Sequence, residues 1–222
     1  MSVLIGIDIG GTFTDLVALN TETHELKVAK VPSTPENGDF SKGFFNGLQK
    51  IQSLCGANAE NVLRLLHGTT VATNTILEEK GAKIGILTTK GFRDILIMGK
   101  GIRSELYNVN IDPESPLFLC PRERIVEIDE RLNAKGEELV PLKEEAVLRA
   151  VDFLIREQGV ESIAICYLFS FLDQSHELRT MELIRAHYPS IRVSISSQVN
   201  PRFREYERLV VTAFDAYIGP VV

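Results

Sequence analysis

The stretch Gly6-Ile7-Asp8-Ile9-Gly10-Gly11-Thr12-Phe13-Thr14-Asp15 lies between two runs that both read as β-strand. Val3 to Asp8 is a short apolar run bounded by glycine, and residues 13–19 are again apolar and β-prone. A polar turn at 20–24 follows. In Glu25 to Val31, Leu26 and Val28 then alternate with lysine. The glycines therefore join strand to strand and predict an opening antiparallel meander. A Rossmann-type site or a P-loop would set its glycines at a helix start. The Gly99-Lys100 pair lacks the upstream glycine of a P-loop.

Glycine permits positive φ and close approach, so successive N–H groups of such a turn can converge on an anion. Carboxylates beside it can hold Mg²⁺, directly or through water. On this reading Asp8 holds metal-bound water, with Asp15 as a second metal partner. Gly10, Gly11 and Thr12 bind phosphate oxygens, and Thr14 joins them as a cofactor-binding hydroxyl. The alternative is a tight hairpin that needs glycine for its shape alone. That accounts for the glycines but not for two aspartates and two threonines around them.

Further along, the proline-bearing loop 32–38 leads to Phe44, Leu48, Ile51 and Cys55 at helical spacing, with Gly56 as the stop. Leu63 to Leu66 reads as a strand ending at His67-Gly68-Thr69-Thr70, and a helix is predicted from about Val71 to Lys80, ending at Gly81. Lys83 to Thr88 is a buried strand and Gly91 to Met98 a short helix. Residues 99–123, rich in Gly, Pro and Asn, read as a long loop. A second unit begins at Arg124. It carries a strand to Arg131, a turn at 133–136, a helix with Pro141 at its start and Gly159 at its end, and a strand from Ser162 to Leu168. A helix capped by Ser175, a strand at 191–195 and a last helix through Phe203, Tyr206, Val210, Ala213 and Tyr217 complete it. Strands alternating with helices predict an α/β fold with a mixed sheet. The expected organisation is 1–98, a loop at 99–123, and 124–222.

Composition narrows the function classes. A net charge of −6 over 222 residues argues against a general nucleic-acid binder. No apolar run reaches membrane-spanning length. Cys55, Cys120 and Cys166 are scattered, without metal-ligand or CxxC spacing or a neighbouring base, which suits reduced thiols in a cytoplasmic protein and offers no thiol catalysis.

The first turn, D-x-G-G-T-x-T-D, resembles the first phosphate loop of the actin-like and sugar-kinase ATPase superfamily. With His67-Gly-Thr-Thr-Val-Ala-Thr-Asn-Thr-Ile-Leu-Glu78, Gly81-Ala-Lys and Thr88-Thr-Lys-Gly-Phe-Arg-Asp94, it resembles the N-terminal region of the hydantoinase A/5-oxoprolinase family, which includes subunits of acetone and acetophenone carboxylases. Pro121-Arg-Glu-Arg124, Glu130-Arg131 and Arg204-Glu-Tyr-Glu-Arg208 through Ala216-Tyr217 extend the likeness over nearly the whole chain. Val210, Val211 and Asp215 depart from it, standing where the family more often has hydroxyl residues and Asn.

The resemblance implies an RNase H-like, actin-like ATPase lobe and ATP-dependent chemistry on an unreactive carbonyl. That chemistry is hydrolysis of a cyclic amide or carboxylation of a ketone, with Mg²⁺, a second ATPase lobe and a B-type subunit as partners. Ending at Tyr217-Ile-Gly-Pro-Val-Val222, the chain is expected to be one lobe, whether a natural split subunit or a shortened piece. The enzymatic alternative is a sugar- or acetate-kinase-like phosphotransferase lobe, and the non-enzymatic one an assembly module.

His67, Thr69, Thr70 and Asn74 form the second candidate cluster, expected at a strand-to-helix turn. His67 either binds the substrate carbonyl or acts as acid/base near the γ-phosphate; the alternative is a hydrogen-bonded core histidine. Thr69 can also serve merely as a helix N-cap. Arg93 and Asp94 read as a solvated pair or as cleft-lining residues. Glu205, Glu207 and Arg208 read as water-facing charges or a structural ion pair between lobes.

Overall fold

In a computed structural model describing residues 2–34, 39–101, 107 and 116–221, β1 (Val3–Ile9) pairs antiparallel with β2 (Phe13–Asn20). β2 pairs antiparallel with β3 (Leu26–Pro32). β4 (Val62–Thr69) lies parallel to β1 on its other side, giving the mixed order β3-β2-β1-β4. Alternation explains the pairing. Ile5, Ile7, Ile9, Leu16, Ala18, Ala29 and Val31 all turn to one face and are buried there with Ile51 and Val71. A one-residue slip would move the whole set to the other face, so the register is strongly specified.

That face is covered by α1 (Ser41–Cys55), whose Phe44, Leu48 and Ile51 recur at helical spacing. Gly43 and Gly47 let the helix come close. A Cβ at Gly43 would stand 2.4 Å from the Ser33 carbonyl oxygen, and one at Gly47 would stand 2.6 Å from a Leu16 methyl. The helix stops where predicted, at Gly56 in the left-handed region (φ 66°), whose N–H donates to the Gln52 carbonyl. α2 (Val71–Leu77) is shorter than expected, closing at Glu78 rather than at Gly81.

The second sheet is wholly parallel, in the order β10-β9-β5-β6. Its strands are β5 (Ile84–Thr89), β6 (Ile125–Ile128), β9 (Ser162–Cys166) and β10 (Arg192–Ile195). Every residue of β5 and β9 is buried, which is why both read as continuous apolar runs. α4 (Glu144–Asp152), continued by a π-helical turn over 153–157, and α5 (Ser175–His187) pack on one side of the core. α3 (Ile95–Met98) and α7 (Glu205–Ile218) contribute to a second cluster around Ile84, Ile86 and Ala164. β7 (Arg131–Leu132) and β8 (Glu138–Val140) form a small hairpin around the turn at Gly136. α6 (Ser196–Val199) is a single turn that the sequence reading did not anticipate.

Contacts divide the chain into residues 1–80 with 221–222, and residues 81–220. The expected boundary at 98 differs from this because β5 hydrogen-bonds to β6 and β9, which draws it and α3 into the second unit. Residues 35–38 of the expected loop 32–38, and 102–106 and 108–115 of the expected loop 99–123, lie outside the described residues. The helix expected from Gly91 shrinks to Ile95–Met98. Ser175 does not cap α5 with its side chain; the Asp173 carboxylate accepts from the Ser175 N–H at 2.8 Å instead. Among the described residues no helix is long and apolar enough to cross a membrane.

Candidate functional site

Parallel pairing of β1 with β4 sets Ile9 opposite Thr69. The turn leaving β1 and the turn leaving β4 therefore emerge side by side, at the carboxyl ends of two parallel strands. Open α/β sheets place ligands at such ends. The Thr70 N–H donates to the Ile9 carbonyl at 3.1 Å, and the Thr70 hydroxyl lies 3.7 Å from where a Cβ on Gly10 would stand.

Neither Gly10 nor Gly11 adopts positive φ, so left-handed backbone is not the reason for glycine here. Gly10 is required by crowding: a Cβ would lie 3.0 Å from the Phe13 carbonyl oxygen, which accepts the Gly10 N–H at 3.0 Å. At Gly11 a Cβ would meet nothing within 4 Å. Glycine there leaves the backbone bare on an open side.

Asp8 and Asp15 are direct partners in the β1–β2 register and point to the face away from α1. Both are exposed. Lys30, the partner of Asp15 on β3, reaches its two carboxylate oxygens at 3.0 and 3.1 Å and lies 5.1 Å from the Phe13 ring centroid. Asp15 is thus already partnered by a cation. Beside the pair runs a groove of about 450 Å³ with Gly6, Val17, Val28, Leu66 and Gly68 in its lining.

Several expected site residues are used otherwise. The Thr14 hydroxyl is fully buried, 3.0 Å from the Ser33 hydroxyl, on the face opposite Asp8 and Asp15. It faces the core beside Ser33 and is not displayed to a phosphate. The Thr69 hydroxyl donates to the Ile9 carbonyl at 2.9 Å and accepts the Val71 N–H at 3.2 Å, so it bridges β1 and the start of α2. The N-cap of that helix is Thr70, which makes no side-chain cap bond, and not Thr69.

His67 is not at the strand-to-helix turn. β4 runs three residues beyond Leu66 because it keeps pairing with β1. His67 is register partner to the buried Ile7, and its ring meets Phe44 of α1 edge-on at 5.8 Å. Its ring therefore lies on the α1 side of the sheet, while the residue also contributes to the lining of the groove that holds Asp8 and Asp15. Asn74 is half-buried in α2.

In the second unit, Asp94 takes a two-pronged pair from Arg122 at 2.6 and 3.2 Å, which holds its carboxyl below the usual range. Arg93 donates to the Arg122 carbonyl at 2.9 and 3.3 Å. Both residues are surface bracing around Arg122. Glu207 sits 3.7 Å from Lys100 and from Arg204, and Glu205 opens α7.

Arg208 reverses the water-facing expectation: it is fully buried and donates to the Ser196 hydroxyl and to the Arg202 and Tyr167 carbonyls at 3.0, 3.1 and 2.7 Å. Ser196 in turn donates to Glu177 at 2.6 Å, and Glu177 also accepts the Tyr167 and Ser197 N–H groups. Of the three positions expected to depart from the family pattern, Asp215 accepts from the Ser194 hydroxyl at 2.5 Å, Val210 is partly buried and Val211 is exposed. Burial pushes the Cys120 thiol up to about 12 and the Cys166 thiol up to about 11, which makes both poor nucleophiles.

Sequence reasoning missed Ser33, Lys30 and Thr70's place beside Gly10. The one signal available was spacing: Lys30 falls opposite Asp15 once the hairpin register is drawn.

The chain is similar to known proteins over nearly its whole length. Caprolactamase subunit alpha of Pseudomonas jessenii is 34% identical over 98% of this chain and 31% of its own length. Acetophenone carboxylase gamma subunit of Aromatoleum aromaticum is 35% identical over 96% and 31%. The solved structure of the ATP-dependent caprolactamase from Pseudomonas jessenii matches with a TM-score of 0.77 at 35% identity, over 98% of this chain and 32% of that one. A nucleotide-free acetone carboxylase structure shares the fold, with a TM-score of 0.81 at 24% identity over 99% and 32%. The chain spans about a third of the length of the caprolactamase and acetophenone carboxylase subunits and about a fifth of the 5-oxoprolinases it also matches. Residues 4–188 match the family described as Hydantoinase/oxoprolinase N-terminal region, and the chain belongs to that family.

Proposed function

We propose that this chain supplies the phosphate-binding side of an ATP-dependent enzyme of the hydantoinase/oxoprolinase type. Such an enzyme activates a cyclic amide or a ketone by phosphorylating its carbonyl or enol oxygen. The terminal phosphoryl group leaves ADP for that oxygen. In a cyclic amide the phosphorylated carbonyl carbon then takes water, the C–N bond breaks and inorganic phosphate is released. In a ketone that has lost an α proton, the α carbon of the enol phosphate is the atom carboxylated, and phosphate is likewise released. The observation that supports this reading is the placement of Thr70 beside Gly10, where the turn leaving β1 and the turn leaving β4 emerge together, with Asp8 two residues before that turn.

Phosphoryl transfer asks a protein for positioning and charge neutralisation more than for covalent help. Gly11 offers bare backbone on an open side, and Gly10 keeps the turn tight. Two exposed carboxylates fit Mg²⁺, which commonly binds through one or two carboxylates and completes its shell with water and substrate phosphates. Among the described residues no group of three metal-ligating side chains exists, so protein alone would not cage the ion. Asp8 is the better ligand, since Lys30 already engages Asp15. Mg²⁺ there would neutralise phosphate charge.

An actin-like lobe fits the strand order β3-β2-β1-β4, and a relative described as ATP-dependent supports the nucleotide. A second ATPase lobe and a B-type subunit are the partners this reading requires. Three free thiols fit a reducing, cytoplasmic compartment. The test is ATP consumption by the chain joined with those partners and offered lactams, hydantoins, 5-oxoproline and ketones. Substrate-stimulated release of ADP supports the reading. Failure to consume ATP with every substrate class overturns it.

A further inference from the structure

The turn assigned to phosphate is held from beneath by a residue outside it. Ser33, fully buried just past β3, donates its hydroxyl to the Gly10 carbonyl oxygen at 2.7 Å and lies 3.0 Å from the Thr14 hydroxyl. Its backbone N–H donates to the Thr12 carbonyl at 3.0 Å. One residue thus takes both the first and the last carbonyl of the Gly10–Thr12 segment. Gly43 of α1 packs directly on the Ser33 backbone, so the position of Ser33 follows the seating of that helix.

We propose that Ser33 is the positioning residue of the phosphate turn, aiming the Gly11 N–H outward by tethering the Gly10 carbonyl inward. The reason is peptide planarity. In a trans peptide the carbonyl of one residue and the N–H of the next point in opposite directions. With the Gly10 C=O tied to Ser33, the Gly11 N–H is turned away from Ser33, and a Cβ at Gly11 would meet nothing within 4 Å. Loss of the tether lets that peptide plane rotate, and the donor then has to be re-ordered whenever an anion binds. The phosphate role of Ser33 rests on the functional reading above; the tether itself does not.

The experiment compares the full chain with Ser33→Ala and Thr14→Val by residue-resolved hydrogen exchange and by calorimetry with Mg·ATP. Ser33→Ala is expected to speed exchange of the Gly10 amide about tenfold while leaving Ile5 and Ala18 in β1 and β2 at parental rates, and to weaken Mg·ATP binding about tenfold. Thr14→Val keeps the Ser33–Gly10 bond and is expected to change either quantity by less than about threefold. If Ser33→Ala does not fold, Ser33→Cys, nearly isosteric with a weaker donor, is read the same way with a smaller effect. Uniform acceleration across β1 and β2, or none at Gly10, overturns the proposal. So does unchanged Mg·ATP affinity in Ser33→Ala when the parent binds. A parent that binds no Mg·ATP while Gly10 loosens locally supports the tether and sinks the phosphate reading instead.

Discussion

Asp8 and Asp15 face one another across β1 and β2 as register partners, both exposed on the sheet face that α1 leaves open, with Lys30 paired to Asp15. Like charges directly opposite on an antiparallel pair are unfavourable by a few tenths to about 1 kcal/mol. Retaining both carboxylates costs stability, which a cation between them would offset.

Stability and binding should therefore move in opposite directions at this pair. Asp8→Asn is expected to raise the melting temperature slightly, by the equivalent of about 0.2–1 kcal/mol, while removing the Mg²⁺ dependence of nucleotide binding. Thermal melts at low and high ionic strength check the first part, since salt should shrink the gain. Calorimetry with and without Mg²⁺ checks the second.

The two adjacent glycines should separate folding from binding. Gly10→Ala forces a Cβ to within 3.0 Å of the Phe13 carbonyl and is expected to destabilise the first unit by about 1–3 kcal/mol. Gly11→Ala places its methyl in open space. Its urea midpoint should match the parent, yet Mg·ATP affinity should fall at least tenfold because the methyl occupies the approach side.

Arg208 is buried with neutral acceptors and shares Ser196 with the buried Glu177. Arg208→Met leaves Glu177 without a nearby cation and is expected to cost about 3–5 kcal/mol in urea denaturation followed by circular dichroism. Arg208→Met combined with Glu177→Gln should cost less than the sum of the two single changes. Strict additivity would show that the two do not form one network.

His176 lies between Glu130, 2.7 Å from Nδ1, and Glu138 of β8, 2.9 Å from Nε2, and the Glu130 hydrogen bond chiefly raises its pKa. A group whose pKa rises on folding contributes its stability in full below the unfolded value, about 6.5, and loses it as pH climbs through the folded value. The second unit should accordingly weaken as pH rises above 6.5. His176→Gln should flatten that slope, measured as urea midpoints across neutral pH.

What could be read from the sequence was local. The strand-turn-strand order around Gly10 and Gly11, the alternation of β1 to β3 and the Gly56 stop each depend on a few neighbouring residues, and the structure follows them, although the two turn glycines do not use positive φ. His67 was misplaced because the apolar run stops at Leu66 while pairing with β1 carries β4 on to Thr69. Arg208 looked solvated because charge usually faces water; only the packing of α6 and α7 around Ser196 supplies its acceptors. Ser33 and Gly43 matter through the distance between α1 and the sheet, a quantity no local pattern encodes.

The central claim is that the Gly10–Thr12 turn and Asp8 bind phosphate and its metal. Titrating the full chain with Mg·ATP while following backbone amide NMR shifts tests it most directly, because even millimolar binding is visible there. The account predicts Mg²⁺-dependent shifts concentrated at Gly10, Gly11, Thr12 and Thr70, abolished in Asp8→Asn. Shifts confined to other residues, or none up to several millimolar nucleotide, would contradict it.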